Sequence, residues 1–287
     1  MLRYASCSNE DFYKLWKACQ NFGLDVTELS ERVIIQMMFS GVHNGRLTEV
    51  FTDYYSHHGI KLITKAYLAY NSYLFIVKGK KANEVIYKVI ERSIAENVGL
   101  ADICYVAYLK EISRKPELLK EEERRELAQK VIDYLCKKNI MLSFYSNLSN
   151  YLRLPYNLVG TTILECIASP NHKVMIHYIL NESSTKFTSE LMNSTDFGLF
   201  TYKFNLFYGD SLRYYFTIEG EGKCTKTAEN IIEFTNLIGE TSRGRFDNIN
   251  DCFASNELRD YMTLRRVMES YLVEDFVVDE TFKMRKD

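Results

Sequence analysis

The hydrophobic residues follow two different periods, and the change lies near residue 155 of the 287-residue chain. Before this point, apolar residues recur with the period of about 3.6 residues that marks one side of an amphipathic helix. After it, short runs rich in β-branched and aromatic residues are separated by turn residues. The two patterns predict an α+β fold of two domains: a helical domain over 1–155, then a small antiparallel β-sandwich over 156–230.

The first part is predicted to form four helix pairs that stack as a short helical-repeat solenoid. Ser8 with Asp11, and Asp25 with Glu28, have the spacing of a capping box and indicate two helix starts. The predicted pairs are 9–22 with 26–40, 45–58 with 61–78, 81–98 with 102–114, and 119–138 with 141–152.

The first helix of each pair is predicted to end at a residue that accepts a left-handed backbone conformation at low cost. These residues are Gly23, Gly59, Gly99 and Asn139, with separations of 36, 40 and 40 residues. An aliphatic residue follows each of them, as in a Schellman helix end. We therefore predict a positive φ at all four positions.

The neighbouring pair His57 and His58 raises the question of a metal site. The pair lies directly ahead of Gly59, at the positions where the fourth repeat carries Lys137 and Lys138. Lysine does not bind a metal ion at neutral pH, whereas a cation beside the last carbonyls of a helix is favourable. The pair is therefore predicted to end a helix.

The β-rich part is predicted to contain five or six strands and a long aromatic hairpin. A three-residue loop would set Tyr208 opposite Leu212 and Phe204 opposite Phe216, so that the apolar faces of the two strands coincide. The helical period then returns and predicts C-terminal helices over 231–287 that pack on the preceding domains. The predicted strands lie at 161–169, 173–180, 186–192, 197–209, 211–220 and 223–230.

Composition and charge exclude some classes of function. The net charge is −2 and the pI is near 6.3, so no basic field attracts nucleic acid. No apolar run is long enough to cross a membrane, and the start lacks the apolar core of a signal peptide. The seven cysteines are scattered without a CxxC pair, which is typical of free thiols in a reducing compartment. We therefore expect a cytoplasmic protein without metal, cofactor or membrane insertion.

No pattern predicts catalysis, and we expect a protein that is not an enzyme. The chain has no GxSxG, Walker or dinucleotide-binding glycine motif, and Glu219 with Glu221 is typical of a solvated turn. Arg243 and Arg245 are a candidate anion contact ahead of a helix. The alternative is that they pair with local acids such as Asp247.

Tyrosine is abundant on the predicted second helices of the repeats. This side chain suits contact surfaces because it joins a large ring to a polar tip. We therefore predict a protein or peptide partner for these helices, although we expect more than half of the rings to pack inside the repeats. The candidate contact residues are Tyr67, Tyr70, Tyr73, Tyr105, Tyr108, Tyr145 and Tyr151.

These patterns favour a non-enzymatic protein-interaction or structural module. The alternative is a carbohydrate-binding or carbohydrate-processing accessory protein, because aromatic rings on a β-sandwich can stack on sugars. Strand alternation leaves Phe207 and Tyr215 for such an exposed face.

Three stretches, KVMIHYIL, GLFTYKFNLFYGDSLRYYFT and KTAENI, resemble the C-terminal part of very large clostridial proteins of unknown function. The similarity runs from about Gly41 to the end of the chain. It implies helical repeats joined to immunoglobulin-like β-domains, and other domains of a larger parent chain as partners. It implies no catalytic residues.

Overall fold

The computed structural model describes two compact units. The first contains the described residues up to Lys138 together with Asn150–Leu152, and the second contains 139–149 together with the described residues from Arg153 onward. The described residues are 8–41, 45–154, 161–181, 185–206 and 210–233.

Helices make up the first unit, as the hydrophobic period predicts. Within the described part of the chain, the α-helices are Asn9–Asn21 (α1), Thr27–Phe39 (α2), Gly45–His58 (α3), Leu62–Ile76 (α4), Glu84–Ala95 (α5), Asp102–Ser113 (α6) and Glu122–Lys137 (α7). A short 3-10 helix, Pro116–Lys120, precedes α7.

The predicted helix over 141–152 is wrong, because this stretch forms a short 3-10 helix at Ser143–Leu148 in the second unit. Two serine hydroxyls explain the difference. Ser146 Oγ donates to the carbonyl of Ser143 at 2.9 Å, and Ser149 Oγ donates to the carbonyl of Ser146 at 2.8 Å. Such local bonds compete with the α-helical pattern.

Three of the four predicted helix ends are confirmed. Gly23 has a φ of +68°, Gly59 of +64° and Asn139 of +57°. In the third repeat the prediction of Gly99 is wrong, because Asn97 has the positive φ, +55°. There the chain closes a Schellman end two residues earlier, where the Val98 amide donates to the carbonyl of Ser93 at 2.8 Å.

The helix pairs lie next to one another in chain order. The second helices contact each other in sequence, α2 with α4 and α4 with α6. Polar contacts join first helices: Lys17 of α1 pairs with Glu49 of α3 at 2.6 Å, and Arg124 of α7 pairs with Glu91 of α5 at 2.9 Å.

The second unit contains two antiparallel sheets with a shared hydrophobic core. Sheet A has the strand order β1-β5-β4, and sheet B has the order β3-β2-β6-β7, with β8 also paired to β6. The core between them includes Leu164 and Phe200 of sheet A with Ile176 and Leu212 of sheet B. The strands are Thr161–Ile167 (β1), Lys173–Leu180 (β2), Thr188–Leu191 (β3), Asn193–Ser194 (β4), Leu199–Asn205 (β5), Ser211–Gly220 (β6), Lys223–Lys226 (β7) and Asn230–Glu233 (β8).

The predicted aromatic hairpin is wrong, because its two strands, β5 and β6, belong to different sheets. Phe204 pairs with Thr162 in sheet A, and Phe216 pairs with Ile176 in sheet B. Both phenylalanines do face the shared core, as predicted. The predicted partner of Leu212, Tyr208, lies outside the described residues.

The chain changes sheet between β3 and β4 through a single residue, Met192. β3 pairs with β2 in sheet B, whereas β4 pairs with β5 in sheet A. The Met192 side chain is buried in the shared core, and its amide donates to the Val174 carbonyl of sheet B at 3.1 Å. One residue therefore joins the two sheets.

The C-terminal helices were expected to begin at residue 231. Residues 231–233 instead belong to β8, which pairs with β6 through Ile232 and Leu212. The remaining predicted helical residues, and with them Arg243 and Arg245, lie outside the described residues.

Candidate functional site

The predicted tyrosine surface is divided by burial. Tyr67, Tyr108 and Tyr145 are buried core side chains, and burial raises the pKa of Tyr67 and of Tyr108. The ring of Tyr67 packs on Phe51 at 4.5 Å, and that of Tyr108 stacks on Tyr87 at 5.7 Å. These three residues therefore stabilise the fold and do not form a contact surface.

The other four tyrosines are partly exposed. Tyr105 is already engaged, because its hydroxyl accepts the Leu100 amide at 3.3 Å and its ring packs against Tyr134 at 5.1 Å. Tyr70 and Tyr73 lie on the outer side of α4, and Tyr151 lies apart from them beyond α7. The Lys78 Nζ lies 5.8 Å from the ring centre of Tyr73. Tyr70 and Tyr73 are the pair that one helix presents together.

These two tyrosines are part of a continuous apolar strip on α4. At helical spacing they share one side with three aliphatic residues, and Leu62 at the start of the helix is 85% exposed. We call this set the α4 strip. Its members are Leu62, Ala66, Ala69, Tyr70 and Tyr73.

The inner side of α4 carries buried polar residues, whereas its outer side carries apolar ones. This is partly the reverse of an ordinary amphipathic helix, whose apolar side is buried. Thr64 is fully buried and accepts the Lys61 amide at 2.6 Å, and Asn71 donates to the Tyr67 carbonyl at 3.0 Å. Lys65 is the one charged residue among the 15 residues of the helix. Because single exposed apolar residues are common but continuous strips are not, the α4 strip is a candidate contact site.

A small cavity lies behind α4, between α4, α5 and α6. It is lined by Ser72, Phe75, Tyr87 and Ala107, among others, and its volume is about 20 Å³. One water molecule needs about 10–15 Å³ measured in this way. The cavity can therefore hold a water molecule but not an organic substrate.

A second surface with exposed apolar residues lies between α1 and α2, on the side of this helix pair that faces away from α3 and α4. We call it the end face. It is an open groove of about 640 Å³ that includes Leu15, 49% exposed, and Ile35, 43% exposed. The groove is lined by Phe12, Leu15, Asp25, Glu28, Leu29, Arg32, Ile35 and Gln36.

The outer face of sheet B carries a cluster of rings around Tyr215. His177 on β2 stacks on Tyr215 with centroids 4.6 Å apart, and the Lys226 Nζ lies 3.8 Å from the ring centre. β2 and the strand that ends at Lys226 flank β6 on opposite sides, so the ring is covered from both directions. Phe187 contacts its edge at 4.9 Å.

Residues 1–282 match the model of a family described as "Family of unknown function (DUF5717), C-terminal". The chain belongs to this family. Neither a curated protein nor a solved structure shows significant similarity to the chain. The expectation of a family of unknown function is thereby confirmed.

In this member of the DUF5717 family, the histidine pair ends α3 as predicted. His57 Nδ1 lies 2.8 Å from the Asp53 carbonyl, and His58 Nε2 lies 3.1 Å from Thr27 Oγ1. Among the described residues, no group of three or more His, Cys, Asp or Glu side chains is placed to hold a metal ion.

Two buried cysteines are poorly suited to nucleophilic chemistry. Burial raises the pKa of the Cys104 thiol to about 11 and that of Cys136 to about 12, so both stay protonated at neutral pH. In the part of the chain that the structure describes, no helix is long and apolar enough to cross a membrane.

The sequence reading found Tyr70 and Tyr73 but missed the rest of the α4 strip and the end face. A signal for the strip was present, since α4 has a single charge and therefore cannot present a polar outer side. The end face was missed because Leu15 and Ile35 fit the apolar pattern of buried helix positions equally well.

Proposed function

We propose that the protein is a non-enzymatic protein-interaction module, and that the α4 strip is the contact surface for the apolar side of a helix in another protein. The observation that supports this most is the exposure of Leu62 together with the partial exposure of Tyr70 and Tyr73 along one side of α4. Tyrosine is enriched in interfaces because its ring contributes much apolar area and loses little entropy on binding. A partner helix with apolar residues at i, i+4 and i+7 fits this strip.

We also propose that the helix pairs form a short solenoid and that the two sheets are immunoglobulin-like. The recurring helix ends and the sequential contacts of α2, α4 and α6 support the solenoid. The change of sheet at Met192 and the shared core support the second proposal.

The proposed setting is the cytoplasm, without nucleic acid as a partner. Five cysteines among the described residues are free, and the net charge is −2. The resemblance to very large clostridial proteins adds other domains of a larger parent chain to the proposed protein or peptide partners.

The carbohydrate alternative has weaker support. Sugar stacking needs an open aromatic face, whereas His177 and Lys226 cover the ring of Tyr215 from two sides. The second ring expected on that face, Phe207, lies outside the described residues.

The interaction is tested by capture from a lysate of the source organism with the 287-residue chain and with a Tyr70→Ala, Tyr73→Ala variant. A captured protein is then purified and its affinity measured by calorimetry. Removing the two rings together costs about 1.4 kcal/mol or more, so we expect the dissociation constant to rise at least about tenfold.

A matched control carries Leu15→Ala and Ile35→Ala on the end face, which leaves the α4 strip intact. We expect this control to bind the captured protein as wild type does. Equal binding by the tyrosine variant, with an unchanged circular dichroism spectrum, would show that the α4 strip is not the contact surface.

A further inference from the structure

The second repeat shows how a first helix reaches back to the preceding helix pair. This first helix ends at Gly59, with Tyr54 five residues ahead of the end and His58 directly ahead of it. The Tyr54 hydroxyl donates to the Glu31 carboxylate, and His58 Nε2 lies 3.1 Å from Thr27 Oγ1. Both partner residues, Glu31 and Thr27, are on α2, the second helix of the preceding pair.

The fourth repeat uses the same two positions. Tyr134 and Lys138 lie five residues and one residue ahead of Asn139, which has the positive φ of this helix end. The Tyr134 hydroxyl donates to Asp102 at 2.8 Å, and the Lys138 ammonium donates to it at 2.9 Å. Asp102 begins α6, again the second helix of the preceding pair.

In the first repeat the same positions hold Ala18 and Phe22, ahead of Gly23. Both residues are exposed, and Phe22 is 81% exposed. The third repeat departs from the pattern, because Arg92 and Glu96 occupy these positions and pair with each other at 2.7 Å. The first repeat thus has an exposed aromatic residue, Phe22, directly ahead of its helix end. In two of the three later repeats the residue at this position contacts the preceding helix pair.

A third position, eight residues ahead of each helix end, behaves alike in all later repeats. It holds Phe51, Val89 and Val131, which are buried, with at most 7% of their surface exposed. In the first repeat this position holds Leu15, which is 49% exposed on the end face. Leu15 is therefore an apolar residue at a position that is buried in the later repeats, but it is itself exposed.

We propose that the end face is covered by a further helix pair of the same repeat class, which precedes α1 in longer members of the family. The second helix of this pair would contact Ala18 and Phe22 as α2 contacts Tyr54 and His58. Two observations select this occupant. The end face continues the stacking of α2 on α3 and α4, and Leu15 on this face is exposed at a position that is buried in every later repeat.

The description of the matched family region as C-terminal agrees with repeats ahead of it. The end face and the α4 strip share no residue, so a substitution on one surface leaves the other intact.

The test uses the stretch of about 80 residues, or two repeats, that precedes the matched region in a longer family member, produced as a separate polypeptide. This polypeptide is titrated by calorimetry into the 287-residue chain. We expect saturable binding that is at least about tenfold weaker with a Leu15→Glu, Phe22→Glu variant. The matched control, Val85→Glu on α5, lies on neither surface and should bind as wild type does.

Each other outcome overturns the proposal. No binding to the wild-type chain, or equal binding by the Leu15→Glu, Phe22→Glu variant, means that the end face does not take this helix pair. Dimerisation of the chain alone that the same variant abolishes would assign the face to a second copy. Binding that appears only after removal of residues 234–287 would assign it to that segment.

Folding of each variant is checked by circular dichroism. If the glutamate variant unfolds, Leu15→Ser with Phe22→Ser is used in its place, since serine leaves both exposed positions uncharged. A Leu62→Glu variant tests the α4 strip separately, and loss of binding by this variant alone would implicate the α4 strip and leave the end face unused.

Discussion

Gly59 and Gly99 form a matched pair of positions that isolates the cost of backbone strain. Both lie in the first unit, and a Cβ atom added at either one meets no atom within 4 Å. They differ in conformation, because Gly59 has a φ of +64° whereas Gly99 lies outside the left-handed region. That region costs a non-glycine residue about 1–2 kcal/mol, and more if it is β-branched. We expect Gly59→Val to lower the free energy of unfolding by about 2 kcal/mol and Gly99→Val by less than about 0.5 kcal/mol.

Trp16 provides an assay that is specific for the first unit. It is the single tryptophan of the chain, it is fully buried, and its Nε1 donates to Ser30 Oγ at 2.9 Å. Its fluorescence in urea therefore follows the unfolding of this unit. With a denaturant slope of about 2 kcal/mol/M, Gly59→Val should lower the midpoint by about 1 M and Gly99→Val should barely change it. Equal shifts would refute the assignment of the strain to φ.

Two further predictions concern the second unit. A Cβ at Gly198, φ +83°, would lie 2.3 Å from the Ala168 carbonyl oxygen, whereas Gly222, φ +72°, has open space around it. We expect Gly198→Ala to lower the free energy of unfolding by at least about 1 kcal/mol more than Gly222→Ala does, as measured by hydrogen exchange of the sheet amides. Similar decreases for the two variants would contradict this. Burial is the main cause that lowers the pKa of His177 below 6.5, and the charge of Lys226 is the second. The contribution of the His177 side chain to stability is therefore complete above pH 6.5 and is lost as the pH falls toward the folded-state pKa. An NMR titration of His177 measures this, and a pKa at or above 6.5 would contradict it.

Helix ends could be predicted closely because their determinants are local. Gly59 and Asn139 are each the nearest residue that tolerates a positive φ, and the helices end there. In the third repeat Asn97 and Gly99 compete two residues apart, and glycine is the better left-handed residue. Local propensity does not explain this end, because the first repeat has the same Asn-x-Gly-Leu pattern and its helix runs through Asn21 to end at Gly23.

Strand partners could not be predicted because alternation specifies the buried face but not the neighbouring strand. Phe204 and Phe216 both point into the core, as their alternation requires. The same pattern results whether the two strands are adjacent in one sheet or face each other across two sheets. The choice depends on the long-range pairing of β1 with β5 and of β2 with β6, which no local pattern contains.

The candidate surfaces were only partly predictable for a related reason. A buried and an exposed apolar helix position look the same in a single sequence, and Tyr67 and Tyr70, three residues apart on α4, differ only in the side they face. Burial depends on which neighbours are present. The assignment therefore needed the packing of α2, α4 and α6.

The single-residue passage at Met192 has a mechanical consequence for the second unit. Because β3 and β4 are joined by one residue, a force that pulls β4 off sheet A is transmitted at once to β3 at the edge of sheet B. The Met192 side chain is buried in the core at the same point, so the connection between the two sheets has no spare length that could extend first. Under tension the two sheets should yield together, in one step, rather than peel apart strand by strand.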